Sequence, residues 1–125
     1  DEVKATVADV ESRLGPVSIL VNNAGITRDN ILLRLKDEDW DAVIALNLRS
    51  VFLCCSAVLP HMKAAGWGRI VNLGSLAGRS PSTGTSPAHY AAAKAAVAMM
   101  TSYLAKDVAG HGITANTVAP GTTAR

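Results

Sequence analysis

The chain has 125 residues, enough for one domain with a sizeable core. Hydrophobic residues make up 49% and charged residues 18%, while aromatics are only 4%, so the core must be aliphatic and alanine-rich. A net charge of +2, from 12 basic and 10 acidic side chains, excludes the strongly basic surface of a nucleic-acid binder.

No uninterrupted apolar run looks long enough to span a membrane, and no signal peptide is in view. Cys54 and Cys55 are adjacent, which argues against a disulfide framework and for a cytoplasmic setting. His61, His89 and His111 are scattered, without metal-ligand spacing, so no metal is expected. The chain opens on Asp1 inside a helical pattern, as expected of a portion of a longer protein.

Val3, Val7, Val10 and Leu14 recur at helical spacing, and Gly15-Pro16 stops the helix. Ser18–Val21 is a short apolar run, predicted to be a buried strand, and it stops at the turn signal Asn22-Asn23-Ala24-Gly25. A polar loop and a short helical stretch lead to Lys36. Asp37 is predicted to cap a long helix with Glu38 and Asp39 in its first turn.

That helix carries Trp40, Val43, Ile44, Val51, Cys54 and Val58 on one side, and Leu48, Phe52, Cys55 and Leu59 widen its apolar surface. Such breadth implies cover on more than one side, by the sheet and by a partner subunit. Asn47 falls inside the main stripe, where a buried amide needs partners or costs about 1–3 kcal/mol. By periodicity alone it is as much a structural asparagine as a functional one. Pro60 should kink or loosen the helix, and Gly66 and Gly68 close it.

Arg69–Leu73 is the second predicted strand, ending at Gly74-Ser75. A Ser-, Thr-, Gly- and Pro-rich loop follows. A helix from Pro87 or Ala88 to Ala109 comes next, ended by Gly110 and Gly112, and then a third strand at Ala115–Ala119, closed by Pro120-Gly121. Helices alternating with strands predict a parallel α/β sheet with right-handed crossovers, and Ser18–Val21 should pair with Arg69–Leu73.

Three strand ends therefore converge on one sheet edge, where open parallel sheets bind ligands. The last helix brings Tyr90-Ala91-Ala92-Ala93-Lys94 to the same edge. Residues four apart share a helix face, and a fixed ammonium one turn from a phenol favours the phenolate. Alone, such a pair is usually a packed tyrosine and a solvated lysine. Beside Ser75, whose hydroxyl can hold a carbonyl, Tyr90 can move a proton to or from a substrate oxygen. Neither supplies electrons, so a nicotinamide cofactor is implied.

Asn22-Asn23-Ala24-Gly25, Asn47, Ser75, Tyr90-x-x-x-Lys94 and Pro120-Gly121, in this order and spacing, resemble the short-chain dehydrogenase/reductase family over nearly the whole chain. Gly25–Asn30, Trp40–Ile44, Trp67–Asn72 and Tyr90–Ala95 are most similar to its 3-oxoacyl-acyl-carrier-protein reductase subgroup, with acetoacetyl-CoA reductases and other short-chain alcohol dehydrogenases as alternatives. Isomerases and dehydratases of the wider family share Tyr-x-x-x-Lys, and a non-catalytic binding domain is the alternative of another kind.

The resemblance implies part of a Rossmann-like doubly wound sheet. Tyr90 would be general acid in reduction and base in oxidation. Lys94 would favour the Tyr90 phenolate and hold the nicotinamide ribose, and Ser75 would orient the carbonyl. Asn47 would position a water linking Lys94 to solvent. Asn23, Ala24 and Gly25 would line the adenosine side of NADPH (or NADH), and Pro120, Gly121 and Thr123 the nicotinamide. The resemblance further implies an acyl-thioester substrate, acyl carrier protein as a partner, and a homodimer or homotetramer built on the helices carrying Asn47 and Tyr90. The loop from Ser75 to Tyr90 looks longer than in a typical reductase, and the glycine-rich pyrophosphate turn and the C-terminal lid of the family have no counterpart in these residues. An incomplete cofactor site makes the isolated chain an expected weak binder and an inactive one.

Overall fold

The computed structural model describes residues 2–81 and 87–121. In chain order it contains α1 (Glu2–Leu14), β1 (Ile19–Asn22), α2 (Asp37–Ile44), a π turn (Ala45–Arg49), α3 (Ser50–Ala65), β2 (Gly68–Leu73), α4 (Ala88–Val108) and β3 (Ile113–Val118). Short 3₁₀ turns occupy Leu32–Arg34, Leu76–Gly78 and Ala109–His111.

The three strands are parallel in the order β1-β2-β3, with Ile19 opposite Arg69 and Ile70 opposite Ala115. The parallel α/β sheet and the β1–β2 pairing are as the sequence predicts. β2 begins one residue before the predicted strand, and β3 runs from Ile113 to Val118 rather than to Ala119.

One sheet face carries the core. Val51, Cys55, Val58 and Met62 of α3 meet Val97 and Val108 of α4 over Ile70, Ile113 and Ala115. Both helices therefore cover the same face, with α1 resting beside α3 through Val7. The opposite face is open among the described residues. Ile19 and Val21, read from sequence as a buried strand, are 59% and 55% exposed. Parallel strands read as continuous apolar runs because they are normally covered on both sides; here only the Leu20 side meets a helix layer.

Several local expectations change. The helix from residue 37 starts after Lys36, whose extended backbone forms the cap without a side-chain bond, so Asp37 is its first residue rather than its cap. The Lys36 carbonyl accepts from the Asp39 and Trp40 amides, and the three carboxylates sit in the first turn, where the helix dipole favours them. Pro60 lies within α3 without ending it. Gly66, at φ 69°, closes α3 in the left-handed region that favours glycine, whereas Gly68 already belongs to β2. The buried face also shifts past the π turn: Cys55 takes the core position and Cys54 is only half-buried.

Contrary to the sequence expectation, Asp37–Ala65 is long and apolar enough, by length and hydropathy, to cross a membrane. Part of that apolarity serves the core, since Val43, Val51, Val58 and Met62 are all buried and α3 packs on β1, β2 and α1, while 28% of the apolar stretch in all is buried.

Candidate active site

The site forms where the strand ends meet the first turns of α4. Beyond β1, residues Asn23–Gly25 run past the π turn; beyond β2 lies Ser75; beyond β3 lies Pro120. A cleft of about 400 Å³ is lined by Asn23, Gly25, Ser75, Tyr90, Lys94 and Pro120. A neighbouring hollow of about 530 Å³, bounded by Ser75, Leu76, Pro81, Tyr90, Pro120 and Gly121, opens on the other side of Tyr90. Six of the predicted site positions thus share one cleft, and Gly121 borders the adjoining hollow. Ala24 is exposed beside them, and Thr123 lies outside the described residues.

Lys94 reaches the cleft from α4. It is 5% exposed, and its Nζ donates a 2.7 Å hydrogen bond to the Leu73 carbonyl. Burial lowers its pKa below the usual lysine value. Its Nζ stands 5.6 Å from the centre of the Tyr90 ring, so the spacing of four delivers the expected proximity.

Asn47 is fully buried in the π turn. Such turns concentrate at functional sites, because the wider turn re-aims side chains. Its Nδ2 donates to two carbonyls, Val43 at 2.9 Å and Ile26 at 2.7 Å. Both amide hydrogens are thereby committed, and the orientation of the amide is fixed. Its Oδ1 is buried with no protein partner. A Cβ built on Gly25 would lie 2.5 Å from that Oδ1 and 3.7 Å from the Lys94 Nζ. The bare Gly25 backbone therefore keeps the unpaired Asn47 Oδ1 clear of any side chain, with the Lys94 Nζ close to the same point.

Ser75 has extended backbone and caps the Leu76–Gly78 turn, its Oγ accepting from the Ala77 amide at 3.1 Å. That bond uses a lone pair and leaves the O–H to donate to a substrate oxygen. The turn sits tightly on α4: a Cβ on Gly78 would come within 2.8 Å of the Ala95 nitrogen. Gly78 was not singled out from sequence, since a glycine in a loop carries no pattern. On the far side, the Gly74 amide donates to the Val118 carbonyl at 2.7 Å and the Leu76 amide to the Pro120 carbonyl at 3.2 Å. These bonds hold the Pro120-Gly121 segment alongside Ser75.

These residues suit a nicotinamide cofactor. The cleft offers a buried ammonium, a phenol and a free hydroxyl donor, with walls of glycine and proline that let a flat ring approach the backbone, and the unpaired Asn47 Oδ1 lies buried behind Gly25.

A parallel α/β sheet with Ser, Tyr and Lys gathered at its carboxyl edge defines a class of nucleotide-cofactor oxidoreductase folds. Within it, the profile described as short chain dehydrogenase matches residues 1–124. The chain belongs to the short-chain dehydrogenase/reductase family.

It is 47% identical over 121 residues to a 3-oxoacyl-[acyl-carrier-protein] reductase of Staphylococcus aureus, covering 97% of this chain and 48% of that protein. It is 48% identical over 121 residues to nodulation protein G of Azospirillum brasilense, again over 97% of this chain and 48% of the relative. The structure superposes on a gluconate 5-dehydrogenase from Burkholderia cenocepacia, solved with NADP and tartrate, with a TM-score of 0.90 and 41% identity, over 98% of this chain and 48% of that one. The chain spans about half the length of these relatives.

Proposed function

We propose that the protein carrying this chain is an NADPH-dependent reductase that converts a 3-oxoacyl thioester to the 3-hydroxyacyl thioester. The observation that carries the reading is the convergence of Ser75, Tyr90 and Lys94 on one cleft, with the Asn47 Oδ1 left unpaired behind Gly25. Similarity to 3-oxoacyl-[acyl-carrier-protein] reductases at 47% identity supports the substrate class.

Asn23, Ala24 and Gly25 would hold the adenosine side of the cofactor, and Pro120, Gly121, Thr123 and Lys94 the nicotinamide and its ribose. When bound, the cofactor supplies the hydride. Ser75 donates a hydrogen bond from its hydroxyl to the substrate carbonyl oxygen, keeping its own proton, and fixes the orientation of that carbonyl. Tyr90 gives its phenolic proton to the same oxygen as negative charge develops there, and takes it back in the oxidative direction. Lys94, held on the Leu73 carbonyl, supplies positive charge beside the phenol. Asn47 holds a water through Oδ1, by which Lys94 exchanges protons with solvent.

A second reading is supported by the gluconate 5-dehydrogenase likeness, namely a dehydrogenase acting on a small hydroxy acid. The thioester reading is preferred on the 47% identity to a 3-oxoacyl-[acyl-carrier-protein] reductase, against 41% to the gluconate 5-dehydrogenase. The exposed Phe52, Met99 and Tyr103 support a homodimer or homotetramer built on α3 and α4, with acyl carrier protein as the substrate's carrier. The free thiols of Cys54 and Cys55 fit a reducing, cytoplasmic compartment.

The test is turnover by the full-length protein, followed at the reduced-nicotinamide band. Acetoacetyl-CoA with NADPH is the first substrate, and 5-ketogluconate the competitor. Turnover of the sugar acid but of no 3-oxoacyl thioester would overturn the substrate assignment.

A further inference from the structure

A row of polar side chains, the half-buried Asn22 and the buried Asn72 and Thr101, crosses the core beneath the site. Asn22, the last residue of β1, donates through Nδ2 to the Asn72 Oδ1 at 2.8 Å. Asn72 on β2 is fully buried and donates through Nδ2 to the Thr101 Oγ1 of α4 at 2.9 Å. Thr101 in turn donates its hydroxyl to the Val97 carbonyl at 2.6 Å. The polarity of the row is fixed. The Thr101 proton is committed to Val97, so Asn72 must present its amide hydrogens to Thr101 and its carbonyl to Asn22.

Each member stands a short step from a site residue on the same element. Asn22 precedes Asn23–Gly25, Asn72 is three residues before Ser75, and Thr101 lies two helical turns below Lys94. Around the row, α4 meets the sheet through Val97, Ile70 and Val108. Apolar contact of this kind is not directional and tolerates small slides of a helix along a sheet. Hydrogen bonds weaken steeply with distance and angle and do not tolerate such slides.

We propose that Asn72 and Thr101 are positioning residues for the reaction: their bond fixes where α4 sits along β2, and so where Tyr90 stands relative to Ser75. The inference rests on the proposed function for its kinetic consequence, and on the geometry alone for its structural one.

The experiment compares Thr101→Val, Thr101→Ser and Asn72→Leu/Thr101→Val in the full-length protein. Valine keeps the shape of threonine and removes the hydroxyl. Serine keeps the hydroxyl. The double variant removes both ends of the bond, and leaves the Asn22 Nδ2 with the Cys55 sulfur, at 3.7 Å, as its remaining partner. A displaced α4 should lower kcat of Thr101→Val by about tenfold to a hundredfold. KM and the NADPH dissociation constant should stay within about twofold, since neither residue touches the cleft. Thr101→Ser should restore kcat. The double variant should remain slow even where its thermal stability recovers.

Wild-type kcat in either folded hydroxyl-less variant would overturn the proposal. So would the failure of both to fold while Thr101→Ser folds, because the row would then serve folding alone. Crystals of wild type and Thr101→Val give a readout independent of turnover, the Ser75 Oγ to Tyr90 Oη separation. An unchanged separation overturns the inference even where the wild-type protein reduces no tested carbonyl, an outcome that would separately sink the proposed function.

Discussion

The Lys94 Nζ donates to the Leu73 carbonyl at 2.7 Å, joining the second turn of α4 to the last residue of β2. Leu73 lies two residues before Ser75, and Lys94 one turn after Tyr90. One hydrogen bond therefore ties the segment that leads into Ser75 to the helix that carries Tyr90. It also satisfies a buried charge that would otherwise be costly to hold in the core. The ammonium cannot swing toward solvent without giving up this partner, so its position beside the phenol is set by the fold rather than by the rotamer preferences of a long side chain.

Tyr90→Phe keeps the ring and removes the transferable proton. General acid–base catalysis contributes about 10²–10⁴-fold, so kcat should fall by at least the lower figure. NADPH affinity should survive, because the ring and Lys94 remain. Steady-state kinetics beside a fluorescence titration of NADPH check both halves. A variant with full kcat would show that another group carries the proton.

Gly25 is exposed, yet a side chain there would meet the Asn47 Oδ1 at 2.5 Å. The neighbouring Ile26 carbonyl holds the Asn47 amide, so loop and side chain cannot both keep their places. Gly25→Ala should leave the fold intact, since Gly25 does not adopt positive φ. It should still lower kcat, by up to about 10²-fold, through displacement of Asn47 or of residues 23–26. A fold-stability scan with matched kinetics separates this from simple destabilisation.

What the sequence made legible was local or periodic. The spacing of Tyr90 and Lys94 and the intrusion of Asn47 into an apolar stripe follow from the 3.6-residue period, and the strand ends, within one residue for β1, from the turn residues that follow them. What escaped it was non-local or geometric. Asn72 and Thr101 meet across 29 residues of sequence, and nothing in the strand or the helix pattern that holds each of them points to the other. The π turn at Ala45–Arg49 needs no special residue type, so it left no signal. The exposure of Ile19 and Val21 depends on which sheet face is covered, which a run of apolar residues does not reveal. Asp37 resembled a cap because acidic residues suit both the cap and the first turn.

Cys55 is buried, and its pKa is pushed up to about 11, first by burial and then by the neighbouring Cys54 thiolate, against the opposing hydrogen bonds of Asn22 and Asn72. Burial also raises Cys54. The thiolate is the reactive form, so at pH 8 only about a thousandth of Cys55 is available. Iodoacetamide should leave Cys55 unmodified in the native protein and alkylate it after denaturation, as peptide mass spectrometry would show. Rapid native labelling at pH 8 would mean that α3 opens far more readily than its packing implies.

Lys94→Met tests the buried charge itself. Burial lowers the Lys94 pKa from its ordinary 10.5, so the folded state holds this proton less tightly than the unfolded state. Below the folded pKa both states are protonated, and the cost of burying the charge is constant. Between the folded and unfolded values the unfolded state binds more protons, and stability rises with pH. The Lys94 contribution should therefore grow as pH climbs toward 10.5 and level off above it. Lys94→Met abolishes that rise. It also leaves the Leu73 carbonyl without its donor, a pH-independent loss of about 1–3 kcal/mol. Urea midpoints for both proteins at several pH values between about 7 and 10 isolate the effect, because other titrating groups cancel in the difference. The wild-type advantage should widen across the alkaline part of the series. A difference that stays flat with pH would show that Lys94 remains as easily protonated in the fold as in the open chain, and that its ammonium is better solvated than its 5% exposure indicates.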